Sequence, residues 1–220
     1  MDYDPRQKER PLRWDPFKSC TVPRPIGWLS SRSMDGIDNL APYSQWQNLT
    51  FDPPLVMFAA NGYADGRRKD TVINAEQSGW FVWNMATWAL RDAVNRSAQD
   101  FAASVDEFQH AGVTKARCVN TDAPRVAESP CHFECRYLST QRFAGNSNIG
   151  NVDVVFGEVT RIHINDAVVT NEGKLDIPTI KPIARMGYYD YAVIDSVFEM
   201  RIPGSEHAAG GLEGRPPGND

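Results

Sequence analysis

The stretch from Thr21 to Pro54, TVPRPIGWLSSRSMDGIDNLAPYSQWQNLTFDPP, limits what this chain can fold into more than any other. Pro23, Arg24, Pro25 and Ile26 lead rigidly into Gly27–Ser31, an extended segment that ends in two hydroxyls. Asp35-Gly36 supplies a hairpin turn, because this pair tolerates the positive φ a tight turn needs. Asn39 to Ser44 then opens a second strand in which Pro42 cannot donate to a ladder. That places the strand at an edge or bulge, with backbone groups free for a ligand. Asp52, Pro53 and Pro54 close the unit. The continuous apolar run Leu55 to Ala60 follows, which predicts a strand buried on both faces.

Further on, Asp70 and Thr71 open a helix through about Gln77, with Asp70 as its N-cap and Gly79 as its stop. Trp80 to Met85 reads as a strand. Ala86 to about Ala103 has helical periodicity through Leu90, Val94, Ala98 and Phe101, and a shorter helix ends at Gly112. Cys131, Phe133, Cys135 and Tyr137 alternate with His132, Glu134 and Arg136, the pattern of a half-buried strand. Ala144 to Asn151 is a polar turn, and Val152 to Ile164 is a long strand with Gly157 as its bulge. There is no regular βαβ alternation and no GxGxxG, which argues against a doubly wound dinucleotide fold. The expectation is a mainly β (α+β) chain, an antiparallel barrel with inserted helices. Residues 1–16 read as an arm, anchored through Trp14 and Phe17. Residues 17–202 read as the domain. Residues 203–220, rich in Gly and Pro, read as a disordered tail.

With a net charge of -5 and both signs scattered, the chain lacks the basic stripe a nucleic-acid surface needs. No run approaches the roughly 18 apolar residues of a membrane span. The charged start, MDYDPRQKERP, lacks a signal core, so a cytoplasmic protein is expected. Cys20, Cys118, Cys131 and Cys135 form no CxxC set and read as free thiols. His110, His132, His163 and His207 show neither triad nor metal spacing, so no catalytic histidine and no metal is expected.

RPIGWLSS, then Asp35-Gly36, then NLAPYS, then DPPLVMF, in that order, resemble the flavin reductase-like family of FMN-binding split barrels. KDT at Lys69–Thr71, FVWN at Phe81–Asn84, PRVAESP at Pro124–Pro130 and VVFGEV at Val154–Val159 extend the likeness over Phe17 to Tyr191. The resemblance implies an antiparallel split β-barrel, bound FMN, and a homodimer that buries the flavin at its interface. It implies that the phosphate lies near Lys69, Asp70 and Thr71 and near Ser30 and Ser31. By chemistry alone, a helix N-terminus offers N–H donors, Lys69 a full charge and Thr71 a hydroxyl, although an ordinary helix start would look the same. The resemblance further implies that Trp28, Leu40, Ala41, Pro42, Tyr43 and Ser44 follow the ring, that Asn84 lies close to it, and that Arg185 approaches flavin or substrate; by pattern alone the first six read as plain core, Asn84 as the start of a turn and Arg185 as a surface charge. Trp46, Tyr188, Tyr189 and Tyr191 are either walls for a nicotinamide or another substrate, or aromatic packing. Gln47 and Tyr188 depart from the family pattern, which often has Asn and a second Gly at these positions.

The reaction implied is hydride transfer from NADH or NADPH to flavin, with electrons passed to an acceptor that could be a partner monooxygenase. Such a transfer needs no protein acid or base. Three other readings stay open: a flavodoxin-like electron-transfer flavoprotein, a flavoenzyme reducing a small organic substrate, and a non-catalytic flavin-binding module. Arg67 and Arg68 are candidates for reading the 2′-phosphate of NADPH.

Overall fold

The computed structural model describes residues 1–7 and 11–200 of the 220-residue chain. The expected disordered tail over 203–220 lies outside the described residues. In chain order the strands begin with β1 (Arg24–Pro25), β2 (Gly27–Arg32), β3 (Asp38–Tyr43), β4 (Trp46–Phe51) and β5 (Pro54–Asn61). Helix α1 (Asp70–Ser78), strand β6 (Trp80–Asn84), helices α2 (Arg91–Arg96) and α3 (Glu107–Ala111), and the two-residue strands β7 (Lys115–Ala116) and β8 (Arg125–Val126) follow. The chain then runs through β9 (Cys131–Phe143), β10 (Val152–Ile164), α4 (Ile177–Ile180), β11 (Ile183–Gly187) and β12 (Asp190–Val193).

Seven strands form one antiparallel sheet in the order β3-β2-β6-β9-β10-β5-β4, curled as a split barrel. The Asp35-Gly36 hairpin joins β2 to β3, with Gly36 at φ 83. Proline-bearing β3 is an edge strand, as its missing donor predicts. The β9–β10 hairpin slips register at Gly157. A Cβ there would stand 2.5 Å from the Phe81 ring, so the bulge needs glycine for close approach as well as for its turn.

Strand β2 separates two apolar cores. Leu29 faces the barrel interior with Phe58, Phe81, Trp83 and Val155. Trp28, one residue away and therefore on the opposite face, packs with Leu40, Val94, Phe108 and Val126 beneath α2 and α3. Both Trp28 and Leu29 are fully buried. The inserted helices thus give the barrel wall a second interior, which is why this strand carries no water-facing position until its end.

Several expectations change. Strand β5 is not buried on both faces: Val56, Phe58 and Ala60 point into the barrel, whereas Leu55, Met57 and Ala59 are half-covered on the outside. The predicted 86–103 helix is only a short turn at 88–90 followed by α2. It stops because the Ser97 hydroxyl donates to the Val94 carbonyl and accepts from the Trp28 indole, taking the place of a further turn. Lys69, not Asp70, occupies the N-cap of α1, and Asp70 is the first helical residue. The polar face predicted for β9 is covered at His132 and Glu134, whereas Arg136 is exposed. Glu134 is fully buried beneath the 117–126 segment, accepting from the backbone N–H groups of Val119 (2.8 Å) and Asn120 (2.6 Å). His132 lies 2.7 Å from the Val126 carbonyl, and burial pulls its imidazole down to about 4, so it is neutral at pH 7. Strand β4 went unforeseen because Ser44 and Gln45 break what looks in sequence like one continuous segment.

Candidate functional site

Two cavities meet at Pro42 and Ala98. The smaller, about 70 Å³, lies between β3, the start of α1, the 97–100 turn and the start of α3. One hydrogen-bond chain forms much of its wall. The Tyr43 hydroxyl donates to Thr71 Oγ1 (2.9 Å), Thr71 donates to Asn39 Oδ1 (2.6 Å), and Asn39 Nδ2 donates to Glu107 Oε2 (2.7 Å). The backbone N–H of Leu40 reaches the same carboxyl oxygen at 2.6 Å.

This arrangement answers what happens to the free edge of β3. The N–H of Leu40 points away from β2 and is taken by Glu107. Two residues on, the outward position falls on Pro42, which has no N–H. The donors that the sequence left free for a ligand are therefore satisfied or absent along this part of the edge. Burial pushes the Glu107 carboxyl up to about 7, against the Leu40 N–H, which favours its charged form.

The start of α1 is different. Its N-cap residue is a lysine, which has no acceptor, and no side chain caps the helix. The first N–H groups, with the positive end of the helix dipole, open beside the cavity. Lys69 Nζ sits 3.4 Å from the centroid of the Tyr63 ring and 3.2 Å from an oxygen of Asp100.

The larger cleft, about 770 Å³, carries three of the predicted residues. Pro42 and Ser44 reach it from the end of β3, and Arg185 from β11. Tyr188, Tyr189 and Tyr191 line it, together with Trp14 and Phe17. Trp14 meets Tyr188 edge-on at 6.4 Å. Trp46 does not belong here: it is buried in the barrel, stacked on Trp83 at 5.8 Å and pressed against Gly27, where a Cβ would come within 2.9 Å. Gln47 is exposed on β4 and lines neither cavity.

The predicted residues thus fall into three groups. Ala41, Tyr43, Lys69, Asp70 and Thr71 surround the small cavity; Ser44 and Arg185 line the large one; Pro42 borders both. Trp28, Ser30, Ser31, Leu40 and Asn84 line neither and are buried behind them. Asn84 donates to the Trp28 carbonyl (3.0 Å) and accepts from Val126 N (2.7 Å); Ser30 donates to the Pro124 carbonyl (2.5 Å). Ser31 accepts from Asn74 Nδ2 at 3.1 Å. These side chains lock β2 to its surroundings, one layer away from either cavity. The sequence reading missed Glu107, Asn39, Tyr63, Ser97 and Arg24. Glu107 had no signal beyond its place in a capped turn, whereas Arg24 sat visibly between two prolines. Of the two proposed 2′-phosphate readers, Arg68 is bound to Glu76 and Asp153, and Arg67 to Asp65. Among the described residues no group of three His, Cys, Asp or Glu could hold a metal ion.

The profile of the flavin reductase like domain matches residues 19–190. An uncharacterised protein of Aquifex aeolicus is 32% identical over 170 residues, covering 76% of this chain and 84% of its own. The crystal structure of nitrilotriacetate monooxygenase component B from Bacillus cereus superimposes with a TM-score of 0.83 at 26% identity, over 91% of this chain and 98% of that one. The 2-nitrobenzoate 2-nitroreductase NbaA of Pseudomonas fluorescens superimposes with a TM-score of 0.74 at 24% identity, over 88% of this chain and 92% of its own.

Proposed function

The chain belongs to the flavin reductase-like family, and from that premise we propose that it is an FMN-binding oxidoreductase that draws hydride from NADH or NADPH and passes the electrons to a further acceptor. The observation that carries this reading is the pair of joined cavities: an uncapped helix start with Lys69 at the small one, and a wide cleft beyond Pro42. Their volumes match the two ends of a nucleotide-like ligand, a compact anionic group and a broad ring system.

In this reading the phosphate meets the α1 backbone donors, Lys69 and Thr71, with Asp70 at the same helix start. The ring follows Ala41, Pro42, Tyr43 and Ser44 toward Arg185. Trp28, Ser30, Ser31, Leu40 and Asn84 fix the strands from behind. Bound FMN supplies the two-electron chemistry, and the protein supplies placement and exclusion of water. The charge balance of the small cavity fits an anion best when Glu107 keeps its proton, because Asp70, Asp100 and Glu107 face the single ammonium of Lys69.

The protein is proposed to act in the cytoplasm as a homodimer. Met57, Ala59, Val152, Val154, Phe156 and Phe143 lie on the outer face of the β5–β10–β9 ribbon, by the register of these strands. That partly exposed face, on which Asn61, Ser139 and Gln141 stand among the apolar residues, suits a second copy of the chain. Light scattering should give a dimer, and a monomer that still binds FMN tightly would remove the claim. A partner monooxygenase is one acceptor class, in keeping with the B. cereus component B.

A visible spectrum of the purified protein, followed by anaerobic NADH and then NADPH, tests the reading. A flavin spectrum that bleaches within seconds supports it and names the donor. A spectrum that stays oxidised with both moves the protein to electron carrier or binding module. A colourless protein that fails to take up added FMN ends the reading.

A further inference from the structure

The wide cleft holds two arginines that face each other rather than a counter-charge. Arg24 and Arg185 are direct partners across β1 and β11. Like charges placed opposite one another on paired strands repel. Among the described residues neither has a carboxylate in ion-pair range. Arg24 Nε is buried without a hydrogen-bond partner, an arrangement that costs free energy. Burial and the charge of Arg185 both lower the pKa of Arg24. Arg185 donates to the Tyr188 carbonyl and lies 4.6 Å from the centre of the Tyr191 ring, so its plane is held by neighbours. Lys18 adds a third cation to the wall, and Asp15 is the one carboxylate among the described lining residues.

The surroundings of the pair are aromatic: Trp14, Phe17, Tyr188, Tyr189 and Tyr191. Tyr188 holds φ 44, a left-handed conformation a tyrosine seldom adopts. That conformation turns the chain at Gly187-Tyr188 and leaves the Tyr188 ring on the cleft wall against Trp14. At about 770 Å³ the cleft also has room for a second planar molecule beside one ring.

Resting on the flavin reading above, we propose that the Arg24–Arg185 pair binds the carboxylate of a planar aromatic acid, which stacks among Trp14, Tyr188 and Tyr191 as the electron acceptor. A guanidinium fork matches a carboxylate in two parallel hydrogen bonds, and aromatic walls match a flat ring. The reduction takes place at a conjugated group on that ring. NAD(P)H supplies two electrons and a proton as hydride by way of the flavin, water supplies the second proton, and the carboxylate is unchanged.

The test uses the FMN-loaded protein and calorimetric titration with benzoate and with its neutral isostere benzamide. Benzoate should bind at least about tenfold more tightly, as charge-assisted hydrogen bonds to a fixed guanidinium allow. Arg24→Gln and Arg185→Gln should each remove that preference while leaving benzamide unchanged. The wild-type comparison alone decides the matter should a variant fail to fold: equal binding of the two ligands, or no binding of benzoate, overturns the proposal. FMN and riboflavin affinities are measured on the same variants. A selective loss of FMN would put the cofactor's phosphate on the arginines and overturn it too. A rise in KM for the nicotinamide donor with benzoate binding intact would assign the pair to the donor's pyrophosphate and likewise overturn it. Failure of the wild-type protein to hold FMN at all would instead remove the flavin reading.

Discussion

The small cavity and the wide cleft touch at Pro42 and Ala98, yet they are built from opposite chemistry. The small one is acidic, with Asp70, Asp100 and Glu107 around Lys69, and a chain of hydrogen bonds joins Tyr43, Thr71, Asn39 and Glu107 in its wall. The wide one is basic and aromatic, and Arg24 within it keeps a buried donor unpaired. The first is made by β3, α1 and α3, which pack on the cores; the second by the arm and by β11–β12, elements from the two ends of the fold. The difference teaches that one end is fixed in shape before any ligand arrives. The other is completed by what enters it. Substitutions should therefore be costly in the first and mild in the second.

The largest effect expected is on the small side. Lys69→Ala should weaken FMN by about 10- to 100-fold, the worth of one charged hydrogen bond, and leave riboflavin alone because it has no phosphate. Equal loss of both, read by flavin fluorescence, would break the assignment of the small cavity to the phosphate. Next, Thr71→Val leaves the buried Tyr43 hydroxyl without its partner. Urea denaturation of the cofactor-free protein should then show a loss of about 1–3 kcal/mol. A smaller loss would mean that the chain of hydrogen bonds is not the rigid element proposed.

The third effect is a pH dependence. Glu107 rises from 4.5 to about 7 on folding, so the folded protein holds this proton more tightly than the unfolded chain. Its contribution to stability is fully present below pH 4.5 and is lost as pH climbs to about 7, above which it stays constant. Asp70 and Asp106 add to the upward push, and Lys69 and the Leu40 N–H oppose it. Glu107→Gln keeps an acceptor for Leu40 and Asn39 but cannot titrate. The difference in stability between wild type and variant should therefore shift in favour of the variant between those pH values. A difference that is flat with pH would refute it. If an FMN phosphate also occupies the cavity, FMN but not riboflavin should bind more weakly above pH 7.

Much of this contrast was legible in the chain itself. The Asp35-Gly36 hairpin, the edge position of Pro42, the Gly79 stop and the Gly157 bulge are backbone decisions made by single residues, and each was readable. Burial was not. The alternation around Glu134 looked half-exposed because the segment that covers it, 117–126, comes from outside the strand. Trp28, Ser30, Ser31, Leu40 and Asn84 stand beside the site in sequence yet behind it in space, since a strand sends alternate residues to opposite faces and here both faces are buried. The Arg24–Arg185 pair needed the register between β1 and β11, strands from opposite ends of the domain, which no local pattern carries.

The smallest effect, and the one that most sharpens the comparison, is expected at Tyr188. A non-glycine residue held at positive φ carries roughly 1–2 kcal/mol of backbone strain. Replacing it with glycine removes that strain, but costs about 0.5–1 kcal/mol in extra freedom of the unfolded chain. An edge-on aromatic pair such as Trp14–Tyr188 contributes about 0.5–1.5 kcal/mol when buried. Tyr188 is 44% exposed, so the loss of that contact counts for less. These terms nearly cancel, and Tyr188→Gly should leave the urea midpoint within the shift produced by about 1 kcal/mol. A near-neutral result beside a costly Thr71→Val would establish that the cleft wall is free to vary while the small cavity is not. A loss at Tyr188 as large as at Thr71 would make the two regions equally rigid. The cleft would then be preformed for its ligand in the same way as the cavity.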